Sequence, residues 1–294
     1  MPESNANSPR DLNLGKTSSQ HAPAVSQHAP AVSQHAPAVR EGDSRLPFDK
    51  RLWPAKGLFV TGTDTDVGKT FVGAIIVRSL TQKGYRVGVY KPVASGCDSV
   101  DGKLCSSDAS VLWEAAGRPA SLERVCPQLF AAPLAPNLAA AAAGRTVDSA
   151  LLRTGLACWQ GACDLVVVEG AGGLYSPISD GDFVIDLAIE FAYPLIVVAA
   201  NRLGTINATL QTLLAAQVAG LSVAGVVLST AQPASHDQSL ASNAQELAAC
   251  LERLGWQIPL LGVVPHGGAR VDSWTGGPAG DVAWESLAGL GEPR

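Results

Sequence analysis

The chain has 294 residues, of which 47% are hydrophobic and 16% charged, with a formal net charge of −5. That length buries one sizeable core or two small ones, and an acidic balance without a Lys/Arg cluster excludes nucleic acid as the main partner, because phosphate-backbone binding needs a basic footprint. No apolar run reaches the ~18 residues of a membrane span and the N-terminus lacks an apolar signal core, so a soluble, cytoplasmic protein with no membrane partner is expected.

In chain order, residues 1–54 come first and differ from the rest. His-Ala-Pro-Ala-Val-Ser-Gln occupies 21–27 and 28–34, and His-Ala-Pro-Ala-Val follows at 35–39. A proline in every repeat forbids a coiled coil, so a disordered low-complexity tail is expected. His21, His28 and His35, seven residues apart in such a chain, preorganise no metal site. Gly15-Lys16-Thr17 lacks the upstream strand and glycine of a phosphate loop. Glu3, Asp11, Glu41 and Asp43 are more acidic residues than an organellar transit peptide favours.

Residues 55–294 alternate apolar runs with amphipathic stretches. Strands are predicted at 57–61, 86–90, 165–168, 195–200, 223–228 and 258–264, and helices at 69–83, 108–116, 147–160, 184–191, 207–219 and 238–254. Uninterrupted Val/Ile/Leu runs separated by helices imply an α/β fold with a doubly wound, mainly parallel sheet covered on both faces. Ligands of such sheets collect at the carboxyl ends of the strands. The six cysteines at 97, 105, 126, 158, 163 and 250 form no Cys-x-x-Cys pair and are expected to be reduced.

Three chemistry-bearing clusters follow strands. Gly62-Thr63-Asp64-Thr65-Asp66-Val67-Gly68-Lys69-Thr70 lies between the first strand and the first helix, the context of a phosphate loop of P-loop NTPase type. Its glycines turn backbone N–H groups inward, Lys69 supplies a cation, and the Thr70 hydroxyl suits Mg²⁺. The usual motif separates its glycines by four residues; here five intervene, from Thr63 to Val67. The second cluster, Lys91-Pro92-Val93-Ala94-Ser95-Gly96, offers a cation and a hydroxyl on a turn, although a lysine at a strand exit is also common on any surface. In the third, the run 165–168 ends in Glu169-Gly170-Ala171-Gly172-Gly173, where a carboxylate suits a Mg²⁺ partner for Thr70, or forms no more than a Glu-Gly turn.

Two further features are open on the residues alone. Asp108 opens a helix, where the dipole favours any acid. Asn201, Gly204, Thr205 and Asn207 form a polar loop before a helix that either holds an anionic group or is capped by Thr205. No Gly-x-Ser-x-Gly elbow is present and neither His236 nor His266 has a partner by sequence, which argues against a nucleophilic triad, and the whole set fits phosphoryl transfer.

The three clusters resemble, in order and spacing, the motifs of the dethiobiotin synthetases, whose own phosphate loop is similar in its five-residue gap. The likeness runs from about Gly57 to Val264. It implies an enzyme that uses ATP to join CO2 to 7,8-diaminopelargonate and closes a cyclic urea in biotin synthesis. It implies a carbamate, its phosphorylation, and ring closure with loss of phosphate. Catalytic roles are then implied for Lys69, Lys91 and Thr65. Nucleotide contacts are implied for Asp66, Val67, Gly68, Lys69, Thr70, Phe71, Asp108, Glu169, Gly170, Ala171 and Gly172, and then for Ser229, Thr230 and Pro265. Substrate contacts are implied for Ser95 and for Pro133 in the turn Pro133-Leu134-Ala135-Pro136-Asn137. Leu203, Gly204 and Asn207 resemble the helix start that receives the substrate's distant carboxylate from a neighbouring subunit, which implies a homodimer. Thr70, Asp108 and Glu169 are the implied Mg²⁺ ligands.

The likeness fades after Pro265, and one departure precedes that point. Where the best-known members carry Asn-Asp to read adenine, this chain has Ser229-Thr230, and hydroxyls do not offer the same two-point amide recognition. An amidotransferase relative would need an appended glutaminase, for which no length remains after Val264. A partition-type ATPase would carry a further lysine in the phosphate loop, where Asp64 stands.

Overall fold

The computed structural model of the chain describes residues 50–231, 237–274 and 282–291. The repeat segment, Gly15-Lys16-Thr17 and His236 lie outside these residues. The strands are β1 (Gly57–Gly62), β2 (Val87–Tyr90), β3 (Asp98–Val100), β4 (Lys103–Cys105), β5 (Leu165–Gly173), β6 (Leu195–Ala200), β7 (Val223–Ser229), β8 (Leu260–Val264) and β9 (Asp272–Ser273). The α-helices are α1 (Lys69–Gln82), α2 (Ser107–Ala115), α3 (Leu122–Val125), α4 (Pro136–Ala142), α5 (Leu151–Thr154), α6 (Val184–Phe191), α7 (Thr205–Val218), α8 (Asn243–Arg253) and α9 (Trp284–Leu287).

The six predicted strands form one sheet with β9, in the order β2-β5-β1-β6-β7-β8-β9. All pairings are parallel except the last. Every residue of β1 and β2, and residues 165–170 of β5, are buried, as continuous apolar runs covered on both faces require. Val72, Ile76, Val77 and Leu80 of α1 pack on the main core, while Leu213 of α7 and Leu247 and Leu251 of α8 join Val226, Leu228 and Leu260 in a second cluster. Each fully buried Val, Leu or Ile contributes roughly 1.5–3 kcal/mol of transfer free energy. From β1 the chain runs outward to β2, and from β5 it crosses β1 to β6 on the other side. The phosphate loop leaves β1 at this reversal, where open α/β sheets bind ligands.

Packing begins before residue 55. Trp53 is buried, with its ring edge-on to Phe191 at 5.0 Å and its indole N–H donating to the Arg153 carbonyl at 3.2 Å. The Tyr193 hydroxyl donates to the Pro54 carbonyl at 2.6 Å. At the other end, Trp284 of α9 is buried and Glu285 pairs with Lys83 at 2.8 Å.

Several boundaries differ from expectation. The helix predicted over 147–160 is only α5 followed by a 3₁₀ turn, Gly155–Trp159. The Tyr90 hydroxyl donates at 3.0 Å toward the Leu151 and Leu152 carbonyls, which a continuing α-helix would use, and a Cβ on Gly155 would lie 2.4 Å from that oxygen. The predicted 238–254 helix breaks into a 3₁₀ turn, Gln238–Ala241, and α8, because buried Asn243 turns its amide to Asn201, Arg202 and Ser239. Helix α7 starts two residues earlier than predicted, with Gly204 at φ 92° as its cap, so Thr205 is the first helical residue rather than the cap. The β3–β4 hairpin was not predicted, although its Asp101-Gly102 turn, with φ of 51° and 75°, is a strong hairpin signal. Each of its strands has only three residues.

Candidate functional site

The phosphate loop is tightly folded against β1 and the end of β7. Val67 is buried and anchors it, while Asp66 and Gly68 take left-handed backbone at φ 54° and 91°. A Cβ on Gly68 would meet Ser229 Oγ at 2.4 Å, so this glycine answers both to its dihedral angle and to its neighbour. Lys69 opens α1 and is buried, donating to the Asp64 carbonyl at 2.8 Å. Burial lowers the pKa of its ammonium, partly offset by Glu169, with Lys91 adding to the depression.

A second cation lies across from the loop. Lys91, just past β2, bonds Glu169 Oε1 of β5 at 2.5 Å and Asp108 Oδ2 of α2 at 2.9 Å. Parallel pairing of β2 with β5, with Tyr90 opposite Val168, brings these groups together. The Thr70 hydroxyl donates to the same Glu169 Oε1 at 2.8 Å. Burial pushes the Lys91 pKa down, but Glu169 and Asp108 overcome it and hold it above the usual lysine value. For half-exposed Asp108, burial acts upward and is overcome by the Lys91 ammonium, with further help from Thr70 and Lys69, leaving the carboxyl below its usual range. Glu169 is fully buried, and its Oε2 has no hydrogen-bond partner among the described residues. Gly73 of α1 makes room beside it: a Cβ there would stand 3.4 Å from that oxygen.

These groups border a cleft of about 680 Å³ at the carboxyl ends of the strands. Of the sequence-predicted residues, Thr65, Asp66, Gly68, Lys69, Thr70 and Phe71 of the loop line it. So do Lys91, Ser95, Asp108, Pro133, Ala171 and Gly172. Val67, Glu169 and Gly170 do not, but they bear on the cleft from beneath: a Cβ on Gly170 would meet Val184 and Phe59, which keeps β5 against the core.

The remaining predicted residues lie outside that lining. Ser229 is buried against Gly68, with its hydroxyl unpartnered among the described residues. The Thr230 hydroxyl accepts a long bond, 3.4 Å, from the Asn201 amide, whose oxygen in turn accepts from Asn243 at 2.9 Å. Pro265 follows β8 in a turn that its carbonyl closes with the Gly268 N–H at 2.9 Å. Leu203, Gly204 and Asn207 are exposed at the start of α7, Leu203 at 82%, and the Leu203 N–H donates to Asp237. Ser176 and Pro177, which the sequence reading missed, do line the cleft.

The oxygen-rich corner of Thr70, Asp108 and Glu169 has the donor chemistry of a hard divalent cation. Among the described residues no set of three or more His, Cys, Asp and Glu side chains gathers as a metal centre, so such a cation would need the Thr70 hydroxyl beside the two carboxylates. All six cysteines are free, and among the described residues no helix is long and apolar enough to cross a membrane.

Residues 56–269 match a family model described as an AAA domain. Over 247 residues the chain is 43% identical to the ATP-dependent dethiobiotin synthetase BioD of Rhodopirellula baltica, covering 79% of this chain and 94% of that protein. It is 39% identical over 212 residues to ATP-dependent dethiobiotin synthetase BioD 1 of Salmonella typhi, covering 71% of this chain and 92% of the relative. With the corresponding synthetase of Anaeromyxobacter dehalogenans the identity is 43% over 198 residues, covering 67% of this chain and 86% of the relative.

Proposed function

The chain belongs to the ATP-dependent dethiobiotin synthetase family, and we propose that it joins CO2 to 7,8-diaminopelargonate and closes a cyclic urea at this cleft. The observation that carries this reading is the convergence of two lysine cations, Lys69 and Lys91, with the Thr65 and Ser95 side chains on one cavity beside a phosphate loop.

Three balanced steps suit that arrangement. One amine nitrogen adds to CO2 and loses a proton, leaving a carbamate. A carbamate oxygen attacks the γ-phosphorus of ATP and ADP departs, which turns a poor leaving group into a mixed carbamic–phosphoric anhydride. The second amine then attacks the carbonyl carbon, loses a proton, and expels phosphate as the ring closes. Little covalent chemistry falls to the protein, so positioning and charge stabilisation carry the rate.

In this account Lys69 and Lys91 flank the carbamate and the transferring phosphoryl group. Lys91 is suited to a fixed positive charge because its two carboxylate neighbours hold it protonated. Thr65 and Ser95 hydrogen-bond the carbamate or its amine, with Pro133 on the substrate side. The loop from Asp66 to Phe71, with Ala171 and Gly172, cradles the phosphates. Gly170 lets β5 pass close to the core, and Ser229, Thr230 and Pro265 lie toward the base. Thr70, Asp108 and Glu169 would hold Mg²⁺, a reading supported by the buried, unpartnered Glu169 Oε2. When bound, that ion would offset charge on the β- and γ-phosphates.

Leu203, Gly204 and Asn207 do not line this cleft, so in our reading they receive the distant carboxylate of a substrate held by a second copy. A cytoplasmic homodimer is the form we propose, with the segment before Lys50 as a tail outside the catalytic unit, since Trp53 and Pro54 already pack on the core. Supplying ¹³C-bicarbonate with Mg²⁺, ATP and the diamine tests the chemistry: the label is expected at the urea carbon of the product by NMR. Label remaining wholly in bicarbonate while ATP is consumed would overturn it.

A further inference from the structure

Ser176 stands in the turn that leaves β5, and its surroundings are built around its hydroxyl. Gly172 takes a left-handed backbone at φ 78°, and a Cβ there would fall 2.2 Å from Ser176 Oγ and 3.6 Å from Thr65 Cγ2. The hydroxyl thus fills the space that the glycine leaves, and the Thr65 methyl borders the same space. The Gly173 N–H donates to Ser176 Oγ at 2.9 Å, and the Ser176 N–H returns a bond to the Gly173 carbonyl at 3.0 Å. The Val184 N–H donates to the Ser176 carbonyl at 3.1 Å, and Pro177 restricts the backbone that follows.

A serine hydroxyl carries one proton and two lone pairs. Here one lone pair is taken by a backbone N–H, and among the described residues no acceptor takes the proton. Ser176 lines the cleft together with Thr65 and Ser95. A hydroxyl so held is a preorganised donor, and the strongest acceptor the reaction brings there is an anionic oxygen.

We infer that Ser176 donates a hydrogen bond to a carbamate oxygen of the reacting substrate, a further substrate-contacting residue beside Thr65 and Ser95. The inference rests on the reaction proposed above. Its charge partners, Lys69 and Lys91, neutralise the group without fixing its orientation; a donor on the wall shared with Thr65 fixes which oxygen faces the phosphorus.

The test compares the full-length parent, Ser176→Ala and Ser176→Thr in one ring-forming assay with Mg²⁺, ATP, bicarbonate and the diamine. Threonine keeps the hydroxyl and alanine removes it. Loss of one hydrogen bond to a charged oxygen should lower kcat of the alanine variant by about 10- to 100-fold, with the KM for ATP within about twofold of the parent and threonine retaining most of the rate. Alanine at the parental rate overturns the inference. So does a threonine variant as slow as alanine, or a KM for ATP that rises in step with the loss, because each would make Ser176 only a turn residue. A parent that forms no ring would instead remove the proposed reaction itself, an outcome seen without either variant.

Discussion

Lys91 on the wall of the cleft and Glu169 beneath it form an ion pair that joins the exit of β2 to the middle of β5. Both side chains are almost fully buried. Removing one partner of such a pair strands the other charge, at a cost of about 3–5 kcal/mol.

Lys91→Ala is therefore expected to lower stability while leaving the phosphate loop able to take nucleotide. Ring formation should fall by about a thousandfold or more, on the scale of lost preorganised charge at a transferring phosphoryl group. Isothermal titration with an unreactive ATP analogue should give a dissociation constant within severalfold of the parent. Loss of nucleotide affinity with the turnover of bound enzyme intact would contradict the assignment.

The two lysines should differ in pH response. Burial lowers the Lys69 pKa below its ordinary 10.5, whereas Lys91 is held above that value. Raising the pH should discharge Lys69 first, so the alkaline limb of kcat/KM should lie below pH 10.5. For Lys91 the sign is opposite: its ion-pair stabilisation is fully present below the unfolded value of 10.5 and is lost as pH rises through its higher folded value. Lys69→Arg, measured from pH 7 to 11, should move or abolish the limb while lowering the rate. A limb that stays at the same pH in that variant would contradict the assignment.

Gly68 offers a separable steric test. Alanine there meets Ser229 Oγ at 2.4 Å and must also adopt φ 91°, the latter costing roughly 1–2 kcal/mol. Gly68→Ala should lose ATP affinity strongly, and Ser229→Gly in the same chain should restore part of it, the dihedral strain remaining. No recovery at all in the double variant would show that the contact with Ser229 is not limiting.

Base selectivity should be weak. The groups proposed to transfer phosphate sit at the carboxyl ends of β1 and β2, with β5 between them, which directs a nucleotide's base toward β6 and β7 on the other side of β1. There Thr230 accepts from Asn201 and keeps one proton to give. Two short hydroxyls, that of Ser229 buried against Gly68, lack the bidentate amide pairing that separates bases by about 1–3 kcal/mol. Initial rates with CTP and GTP should thus come within about tenfold of ATP in kcat/KM. Discrimination beyond about a hundredfold would place the selecting groups elsewhere.

Much of this architecture is legible before any coordinates. Runs such as 165–168 and 195–200 are apolar throughout, short and rich in Val and Ile, and their alternation with helical stretches points to strands covered on both faces of a parallel sheet. Glu169 breaks the apolar run in the middle of β5, where a buried charge needs a reason. Asp108 is different: its meeting with Lys91 joins the start of α2 to the end of β2, and no spacing reveals that. The break at Gly155 was equally hidden, because the Tyr90 hydroxyl that causes it comes from a strand 65 positions earlier. Ser176 carries no sequence mark at all; its significance arises from the missing Cβ of Gly172, a distance rather than a motif.

The most direct test of the account is phosphate release from ATP by the full chain with Mg²⁺ and bicarbonate, followed with and without 7,8-diaminopelargonate. One phosphate per cyclic urea formed, and almost none when the diamine is left out, is the predicted result. Equal phosphate release with and without the diamine would contradict it.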